Sequence, residues 1–333
     1  MKILIIRFSS IGDIVLTTPV IRNLKQQLPE VAIHYLTKHT FKTILEHNPY
    51  IDKIHCLNES WAEMIKSIQS EKFDLIIDLH HNLRTASIKR ALNVKAFSFQ
   101  KLNIEKWLLT NFKINRMPDL HIVDRYMQTV TSLGITNDGK GLDYFIPETE
   151  QIKLEDLPHA HFAGYIAVVI GAAHATKRLP VEKLQDLCSR IQHPVILLGG
   201  SEDKINGDLI ASVDPVKVYN ACGKFSLNES ADIIKKSKLV IAHDTGLMHI
   251  AAALKKQIIA VWGNTVPAFG MYPYYGHHPV ANVNIEVKNL NCRPCSKIGS
   301  DKCPKKHFKC MQNQDVLSIV ALAESWAKAW RPV

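Results

Sequence analysis

An aspartate just after the first apolar run is the first residue with clear chemical potential. The chain opens with Ile3–Ile6 and continues as Arg7-Phe-Ser-Ser-Ile-Gly-Asp13, after which apolar residues recur with a helical period. A carboxylate at such a strand-to-helix turn can cap the helix, or it can act as a general base, which speeds proton transfer by about 10²–10⁴-fold. Gly12 permits a close approach of backbone. The glycine pattern matches neither a dinucleotide fingerprint nor a phosphate-binding P-loop.

A second polar motif, Asp244-Thr245-Gly246-Leu247-Met248-His249, follows the apolar run Leu239–Ala242 and opens an Ala-rich helix. The start of a helix presents free N–H groups and about half a positive charge, which suits a phosphate, and Gly246 permits its close approach. Asp244 and Thr245 are also favoured helix-capping types, and His249 can equally be a core histidine. Both interpretations stay open on the residues alone.

Two further polar segments leave apolar runs in the second half of the chain. Lys177 and Arg178 follow Ile166–Ile170, and Glu202 follows Val195–Leu198 through Gly-Gly-Ser. Basic residues at the carboxyl end of a parallel strand favour a phosphate contact, although two adjacent basic residues are often simply solvated. The carboxylate of Glu202 can accept hydrogen bonds from ribose hydroxyls.

Four of the seven cysteines fall close together, as Cys292-x₂-Cys295-x₇-Cys303-x₆-Cys310. In a reducing compartment such a cluster indicates metal binding or buried thiols rather than disulfides. The spacing has one CxxC pair but lacks the second pair that zinc ribbons usually carry. A bound zinc at these four residues and buried thiols without a metal are the two interpretations.

The elements that must position these residues alternate between short apolar runs and amphipathic segments. Continuous runs rich in Ile, Val and Leu are typical of buried parallel strands, and segments of helical period lie between them. The pattern predicts an α/β fold with doubly wound sheets. The seven predicted strands are Ile3–Ile6, Ala32–Leu36, Leu75–Leu79, Ile166–Ile170, Val195–Leu198, Leu239–Ala242 and Ile258–Trp262.

The chain of 333 residues is long enough for two domains. Its strand–helix rhythm breaks between Asn137 and His161, where Gly, Pro and charged residues concentrate. We therefore expect two Rossmann-like domains that face a central cleft, one over residues 1–150 and one over residues 160–333. A last amphipathic helix from Asp315 to Trp330 needs a surface to cover, either on its own domain or back on the first.

Composition sets wider limits on function. A hydrophobic content of 46% excludes a disordered chain, and 41 Lys and Arg against 31 Asp and Glu give a formal net charge of +10. That charge points to anionic partners: phosphates, nucleic acid or an acidic membrane surface. The basic residues are dispersed and no aromatic-rich basic motif is present, which disfavours nucleic acid. Neither a signal peptide nor a membrane span is predicted, so we expect a cytoplasmic protein.

Taken together, these motifs resemble those of the heptosyltransferases of glycosyltransferase family 9, and the likeness spans nearly the whole chain. Ser10-Ile-Gly12-Asp13 with Thr17-Thr-Pro19 is similar to the family's opening motif, and Asp244–His249 to its more specific second motif. The resemblance implies a GT-B fold and an inverting, metal-independent transfer with no cofactor required for catalysis. The donor implied is an ADP-sugar, ADP-heptose, and the acceptor is an anionic glycolipid of the lipid A–Kdo type in the lipopolysaccharide inner core.

The resemblance also implies roles for single residues. Asp13 is the implied catalytic base, Lys177 is expected at the diphosphate, and Glu202 at the ribose. The phosphates and sugar are expected to contact Asp244, Thr245, Gly246, Leu247 and His249. Zinc at the four clustered cysteines is then structural rather than catalytic.

The acceptor side is predicted from the segments that leave the strands of the first domain. Ser10 and Gly12 border it, and Arg84 follows Leu75–Leu79 closely enough to reach it; an Arg fork matches a carboxylate or phosphate. A solvated loop is the alternative for Arg84. The segment Lys106–Arg116 interleaves aromatic and basic residues, so it is either a core helix or a peripheral contact with the inner face of the cytoplasmic membrane.

One loop departs from the family pattern. The family often has paired threonines ahead of its lysine, whereas this chain has Ala172-Ala-His-Ala-Thr176 before Lys177. A glycosyltransferase with a different donor or acceptor is therefore the alternative, and a basic nucleic-acid-binding protein with a metal site at the cysteines is a more distant one.

Overall fold

Strands and helices alternate along the chain in the computed structural model, which describes residues 1–57 and 60–331. The strands are β1 (Lys2–Ile6), β2 (Ala32–Lys38), β3 (Lys53–Leu57), β4 (Leu75–Asp78), β5 (Lys95–Ser98), β6 (Ile166–Val169), β7 (Val195–Leu198), β8 (Val218–Asn220), β9 (Val240–His243), β10 (Ile258–Trp262) and β11 (Asn282–Glu286). The α-helices are α1 (Ile11–Val15), α2 (Thr18–Gln27), α3 (Trp61–Ser70), α4 (Leu83–Leu92), α5 (Asn103–Phe112), α6 (Ile122–Met127), α7 (Val181–Arg190), α8 (Lys204–Ala211), α9 (Leu227–Lys236), α10 (Gly246–Ala253), α11 (Lys309–Gln312) and α12 (Val316–Ala329). All seven predicted strands are present.

The strands form two parallel sheets, one in each of two compact units. The first unit comprises Met1–Leu102, Leu120–Phe145 and Tyr274–His278, and its sheet has the order β3-β2-β1-β4-β5. The second comprises Asn103–Asp119, Ile146–Pro273 and Pro279–Val333, with the order β11-β10-β9-β6-β7-β8. The prediction of an α/β fold with doubly wound sheets is confirmed. The units differ from the predicted ranges because residues 103–119 pack with the second unit and residues 274–278 with the first.

Each sheet has a point at which the strand order reverses. In the first unit β1 lies between β2 and β4, and in the second unit β6 lies between β7 and β9. The chain leaves neighbouring strands in opposite directions at such a switch point, which opens a crevice at the carboxyl ends of the strands. In the first unit the crevice lies where β1 and β4 end, and in the second where β6 and β9 end.

Burial of the central strands supplies the core of each unit. Ile3–Ile6 of β1 and Val195–Leu198 of β7 are fully buried, because helices cover parallel sheets on both faces. The helices contribute apolar stripes, such as Leu184, Leu187 and Cys188 of α7. The last helix, α12, packs on α7 within the second unit and buries Ile319 and Ala323 there.

The helices also bear on the prediction about membrane spans. Within residues 1–57 and 60–331, none of them combines the length and the apolar character needed to cross a bilayer.

Candidate functional site

Asp13 lies in the first turn of α1, at the carboxyl end of β1. Its Oδ1 is 2.6 Å from Arg7 Nη2, while its Oδ2 accepts hydrogen bonds from the Ser10 N–H at 3.1 Å and the Ser10 hydroxyl at 2.9 Å. Ser10 occupies the N-cap position, so the interpretation of Asp13 as the N-cap is wrong. Asp13 is instead the third helical residue, which reaches back to the capping residue. Gly12 is buried in the same turn.

Arg7 fixes the position of this carboxylate. Its side chain is almost fully buried and donates to the backbone oxygens of Leu79 at 2.7 Å and Ser9 at 2.8 Å. Burial lowers the pKa of Arg7, but the charge of Asp13, the nearby Tyr126 and Tyr35 and the hydrogen bond to Asp13 together raise its net pKa above the ordinary value. A permanently charged guanidinium beside Asp13 favours the carboxylate form, which is the form a general base needs.

Two more side chains at this edge were not assigned from the sequence. His80 follows β4 and packs on Phe8 with ring centroids 4.8 Å apart; burial, and then the charge of Arg7, lower its pKa to about 4. Lys101 follows β5, and burial and Arg7 likewise lower its pKa. The sequence could have indicated them only through their positions, since each follows a strand of the same sheet. Both lie within electrostatic range of Asp13, beside which His80 is neutral at pH 7 and Lys101 is a cation.

Arg84 lies in the first turn of α4, which follows β4. Its side chain is exposed. The N-cap of α4 is Asn82, whose side chain accepts the Thr85 N–H at 3.0 Å. Arg84 lies on the same unit as Asp13. Its contact with the acceptor stays a prediction.

Lys177 and Asp244 come together at the switch point of the second unit. Lys177 lies in a short 3₁₀ turn after β6 and Asp244 follows β9, and their Nζ and Oδ2 atoms are 2.7 Å apart. Both side chains are largely buried, and the Thr265 hydroxyl also donates to Asp244 Oδ2, at 2.9 Å. A cation and an anion in contact at a strand exit can exchange partners with a charged ligand.

Helix α10 begins beside this pair. Thr245 is its N-cap residue, but the Thr245 side chain makes no capping hydrogen bond, and Thr245, Gly246 and Leu247 are all partly exposed. The Thr245 side chain therefore leaves the first N–H groups of the helix uncapped, and the start of a helix favours an anion. His249, one turn further, is 2% exposed, as expected for a core histidine; its contact with the donor stays a prediction.

Arg178 has a different position from the one expected of it. Its guanidinium donates to Asp203 Oδ1 at 2.9 Å and to the backbone oxygen of Ala172. The prediction of a phosphate contact for the Lys177–Arg178 pair therefore applies to Lys177, while Arg178 braces the two loops that follow β6 and β7. Glu202, in the turn after β7, has an exposed side chain.

The four clustered cysteines lie in the second unit as free thiols. Burial and the other three cysteines raise the pKa of Cys310 to about 11, so the four sulfur atoms lie within electrostatic range of one another. Cys292 Sγ is 3.9 Å from His307 Nε2, and both line a cavity of about 360 Å³. Over residues 1–57 and 60–331, however, the side chains grouped closely enough to hold a metal ion do not include these cysteines.

The sequence matches one family model. The model described as glycosyltransferase family 9 (heptosyltransferase) matches residues 61–306. Among curated proteins, the lipopolysaccharide heptosyltransferase 1 of Campylobacter coli is 26% identical over 349 residues, covering 96% of this chain and 98% of that protein.

Solved structures share the fold. A glycosyltransferase of family 9 from Veillonella parvula has a TM-score of 0.74 at 22% identity, covering 98% of this chain and 97% of that one. The Escherichia coli heptosyltransferase WaaC with ADP-2-deoxy-2-fluoro heptose has a TM-score of 0.67 at 18% identity, covering 98% and 99%. The prediction of two Rossmann-like sheets of the GT-B class is thereby confirmed.

Proposed function

The chain belongs to glycosyltransferase family 9, and from that premise we propose that it transfers heptose from ADP-heptose to the inner core of a lipopolysaccharide. It is a glycosyltransferase; the donor, the acceptor and the stereochemistry are the proposal. The names of its relatives support the substrate class, since the Campylobacter coli protein is a lipopolysaccharide heptosyltransferase and WaaC was solved with an ADP-heptose analogue.

The donor half of the proposal is carried by the Lys177–Asp244 pair beside the start of α10. When the sugar leaves, the ADP diphosphate gains negative charge, and a cation and helix N–H groups stabilise that charge. Lys177 meets the diphosphate, while Thr245, Gly246 and Leu247 offer N–H groups. Asp244 and His249 contact the sugar and phosphates, and Glu202 accepts from the ribose hydroxyls.

The acceptor half is carried by Asp13. Its carboxylate takes the proton of the acceptor hydroxyl as that oxygen forms a bond to the anomeric carbon, and the bond from that carbon to the ADP phosphate oxygen breaks. Attack opposite to the leaving group inverts the anomeric centre. Charge is stabilised by Lys177 and backbone N–H groups, so no metal ion is required. Ser10, Gly12 and Arg84 border the acceptor, whose anionic groups suit the Arg84 fork.

A different donor sugar is the second candidate, and one loop favours it. Ala172-Ala-His-Ala-Thr176 replaces the paired threonines of the family pattern ahead of Lys177. Small apolar residues there offer fewer hydroxyl partners to a sugar. The nucleotide would still be ADP.

Calorimetric titration with ADP, UDP and GDP tests the donor, followed by transfer assays with ADP-heptose and ADP-glucose. We expect ADP to bind most tightly and ADP-heptose to be transferred in the presence of a chelator. The variant Asp13→Asn is expected to bind ADP like the parent and to lose transfer by about 10²-fold or more. Full transfer by that variant would remove Asp13 from the role of base, and preference for UDP or GDP would overturn the donor assignment.

Two further assignments belong to the same proposal. A structural zinc at Cys292, Cys295, Cys303 and Cys310 requires the loop to close around the ion, since the thiols are not grouped for binding. Metal analysis of the purified protein decides it, and absence of zinc and iron would remove the site.

A peripheral contact with the inner membrane surface is supported by α5, which exposes Ile104, Trp107 and Phe112.

A further inference from the structure

Three potential metal ligands meet in the first unit, away from the loop that carries Asp13. His34 lies near the amino end of β2, His55 lies beside it on β3, and Glu71 follows α3. Their ligand atoms all lie within 4.8 Å of one another. Asp13 follows the carboxyl end of β1, at the opposite edge of the same parallel sheet, so the two groups have no side chain in common.

The spacing of these atoms suits one small cation. His34 Nδ1 and His55 Nε2 are 3.0 Å apart, and His34 Nδ1 is 3.9 Å from Glu71 Oε2. Two ligands in a tetrahedral zinc site, each about 2.1 Å from the ion, are about 3.4 Å apart. The observed distances lie on either side of that value, so small side-chain movements complete the geometry.

The two imidazoles are in the right protonation state to act as ligands. His34 and His55 are 5% and 6% exposed, and both rings pack edge-on against Phe73. Burial lowers the pKa of His34, and burial together with His34 lowers the pKa of His55 to about 4. Both rings are therefore neutral at pH 7, as metal ligation requires. Two lone pairs at 3.0 Å repel each other unless a proton or a cation lies between them.

Glu71 supplies the negative ligand, although two lysines compete for it. Lys53 and Lys2 donate to its two oxygens and lower its pKa to about 2, so it is ionised throughout the physiological range. The side chains of Lys53 and Lys2 are 54% and 32% exposed, which allows either to turn into water when an ion arrives. Asp52 adds a negative charge near His34.

We propose that His34, His55 and Glu71 form a site for a divalent transition-metal ion of the zinc class, with water as its fourth ligand. Two imidazoles and one carboxylate are a donor set that zinc, cobalt and nickel accept. The ion would join β2, β3 and the connection after α3, so it would stabilise the amino edge of the first sheet. The site plays no part in sugar transfer.

Cobalt is a suitable probe because the clustered thiols of the second unit could also bind metal. Tag-free, chelator-treated full-length protein is titrated with Co²⁺, and a sulfur-to-cobalt band in the near ultraviolet separates thiolate ligands from nitrogen and oxygen ligands. We expect one equivalent of Co²⁺ with the visible d–d bands of nitrogen and oxygen ligands, counted separately from any equivalent that shows the sulfur band. Zn²⁺ should displace it, and added Zn²⁺ should raise Tm.

Three variants and one control locate the ion. His34→Gln and His55→Gln are expected to bind at least tenfold more weakly and to lose the Tm rise, and Glu71→Gln is expected to bind about tenfold more weakly. His47→Gln, an exposed histidine beside Glu46, should bind like the parent. Circular dichroism checks that each variant folds. If a histidine variant misfolds, Glu71→Gln still tests whether the ion binds at this site. Parent protein without the nitrogen-and-oxygen cobalt spectrum, or unchanged binding in all three variants, overturns the proposal.

Discussion

At the scale of single residues, Arg7 determines what Asp13 can do. The Asp13 carboxylate contacts a buried guanidinium that is itself bonded to two backbone oxygens. The position of the proposed base therefore depends on a side chain six residues earlier. The sequence predicted the motif around Asp13. It did not predict Arg7 as the partner of Asp13, because an arginine at the end of a strand can equally be solvated.

Replacing Arg7 tests this positioning role. Arg7→Gln is expected to lower kcat for sugar transfer by about 10²-fold, since a misplaced catalytic group costs about that much, and to leave ADP affinity unchanged because the proposed donor residues lie in the second unit. Arg7→Lys keeps the charge and loses the fork, so it should recover part of kcat. Steady-state kinetics with a separate ADP titration measure both effects. Equal kcat in the parent and Arg7→Gln would show that Asp13 needs no such partner.

Lys177 has the corresponding place in the proposed donor site. A hydrogen bond to a charged group contributes about 1.5–3 kcal/mol, so Lys177→Ala is expected to weaken ADP binding by about 10- to 100-fold. Lys153→Ala, at a lysine whose side chain is 77% exposed, is the matched control and should bind ADP normally. Calorimetry at two salt concentrations checks the result. Parent-like affinity in Lys177→Ala would mean that its charge does not reach the diphosphate.

Sequence reasoning placed these residues on the right loops and missed their partners. Lys177 and Asp244 were both expected at a phosphate, but their ion pair joins loops that are distant in the chain. Arg178 was grouped with its neighbour Lys177, whereas its fork reaches Asp203 instead. Adjacent residues on a turn point in different directions, and the identity of their partners depends on which strands the sheet brings together.

At the scale of elements, the strands that the sequence predicted are the central ones. The four that it missed, β3, β5, β8 and β11, lie at the edges or end positions of the two sheets. Central strands are covered on both faces and on both sides, so they read as continuous apolar runs. Edge strands such as β5 and β11 have no fully buried residue, and their mixed sequences lack a strand signal.

The junction between β9 and α7 gives a prediction about pH. His243, at the end of β9, is 1% exposed and accepts the Leu179 N–H through Nε2 at 3.0 Å. Burial, and then Arg178, lower its pKa to about 4 from an ordinary value of 6.5. Between pH 6.5 and pH 4 this histidine is protonated in the unfolded chain but neutral in the folded one. The free energy of unfolding is therefore highest above pH 6.5 and falls as the pH drops towards 4.

Replacing this histidine should flatten that dependence. His243→Gln can still accept the Leu179 N–H but does not titrate. Between about pH 7.5 and about pH 5 the parent is expected to lose about 2 kcal/mol more unfolding free energy than the variant. Urea unfolding at the two pH values measures the difference. Equal losses in both proteins would assign the acid sensitivity to other groups.

At the scale of the whole molecule, the net charge of +10 serves two kinds of anion in our proposal. Part of it, at Lys177, meets a nucleotide diphosphate. The rest is spread over the surface, where it favours an anionic membrane. The segment Lys106–Arg116 was expected to be either a core helix or a membrane contact, and α5 buries only Leu109 of its apolar residues. Trp107 and Phe112 pack on each other with ring centroids 5.0 Å apart, and both remain exposed to solvent.

Binding to vesicles tests whether that partner is a membrane. Ile104, Trp107, Phe112 and Ile114 are 71%, 48%, 58% and 47% exposed, and Lys113 and Arg116 lie among them. Such a surface binds lipid through apolar insertion and attraction to acidic headgroups. The protein is expected to sediment with phosphatidylglycerol vesicles, to be released by high salt, and to leave phosphatidylcholine vesicles unbound. Trp107→Ser with Phe112→Ser should weaken binding about tenfold or more, whereas Ile205→Ser, at a 75% exposed residue of α8, should not. Equal sedimentation of both variants would remove α5 from the membrane contact and leave the dispersed charge as its cause.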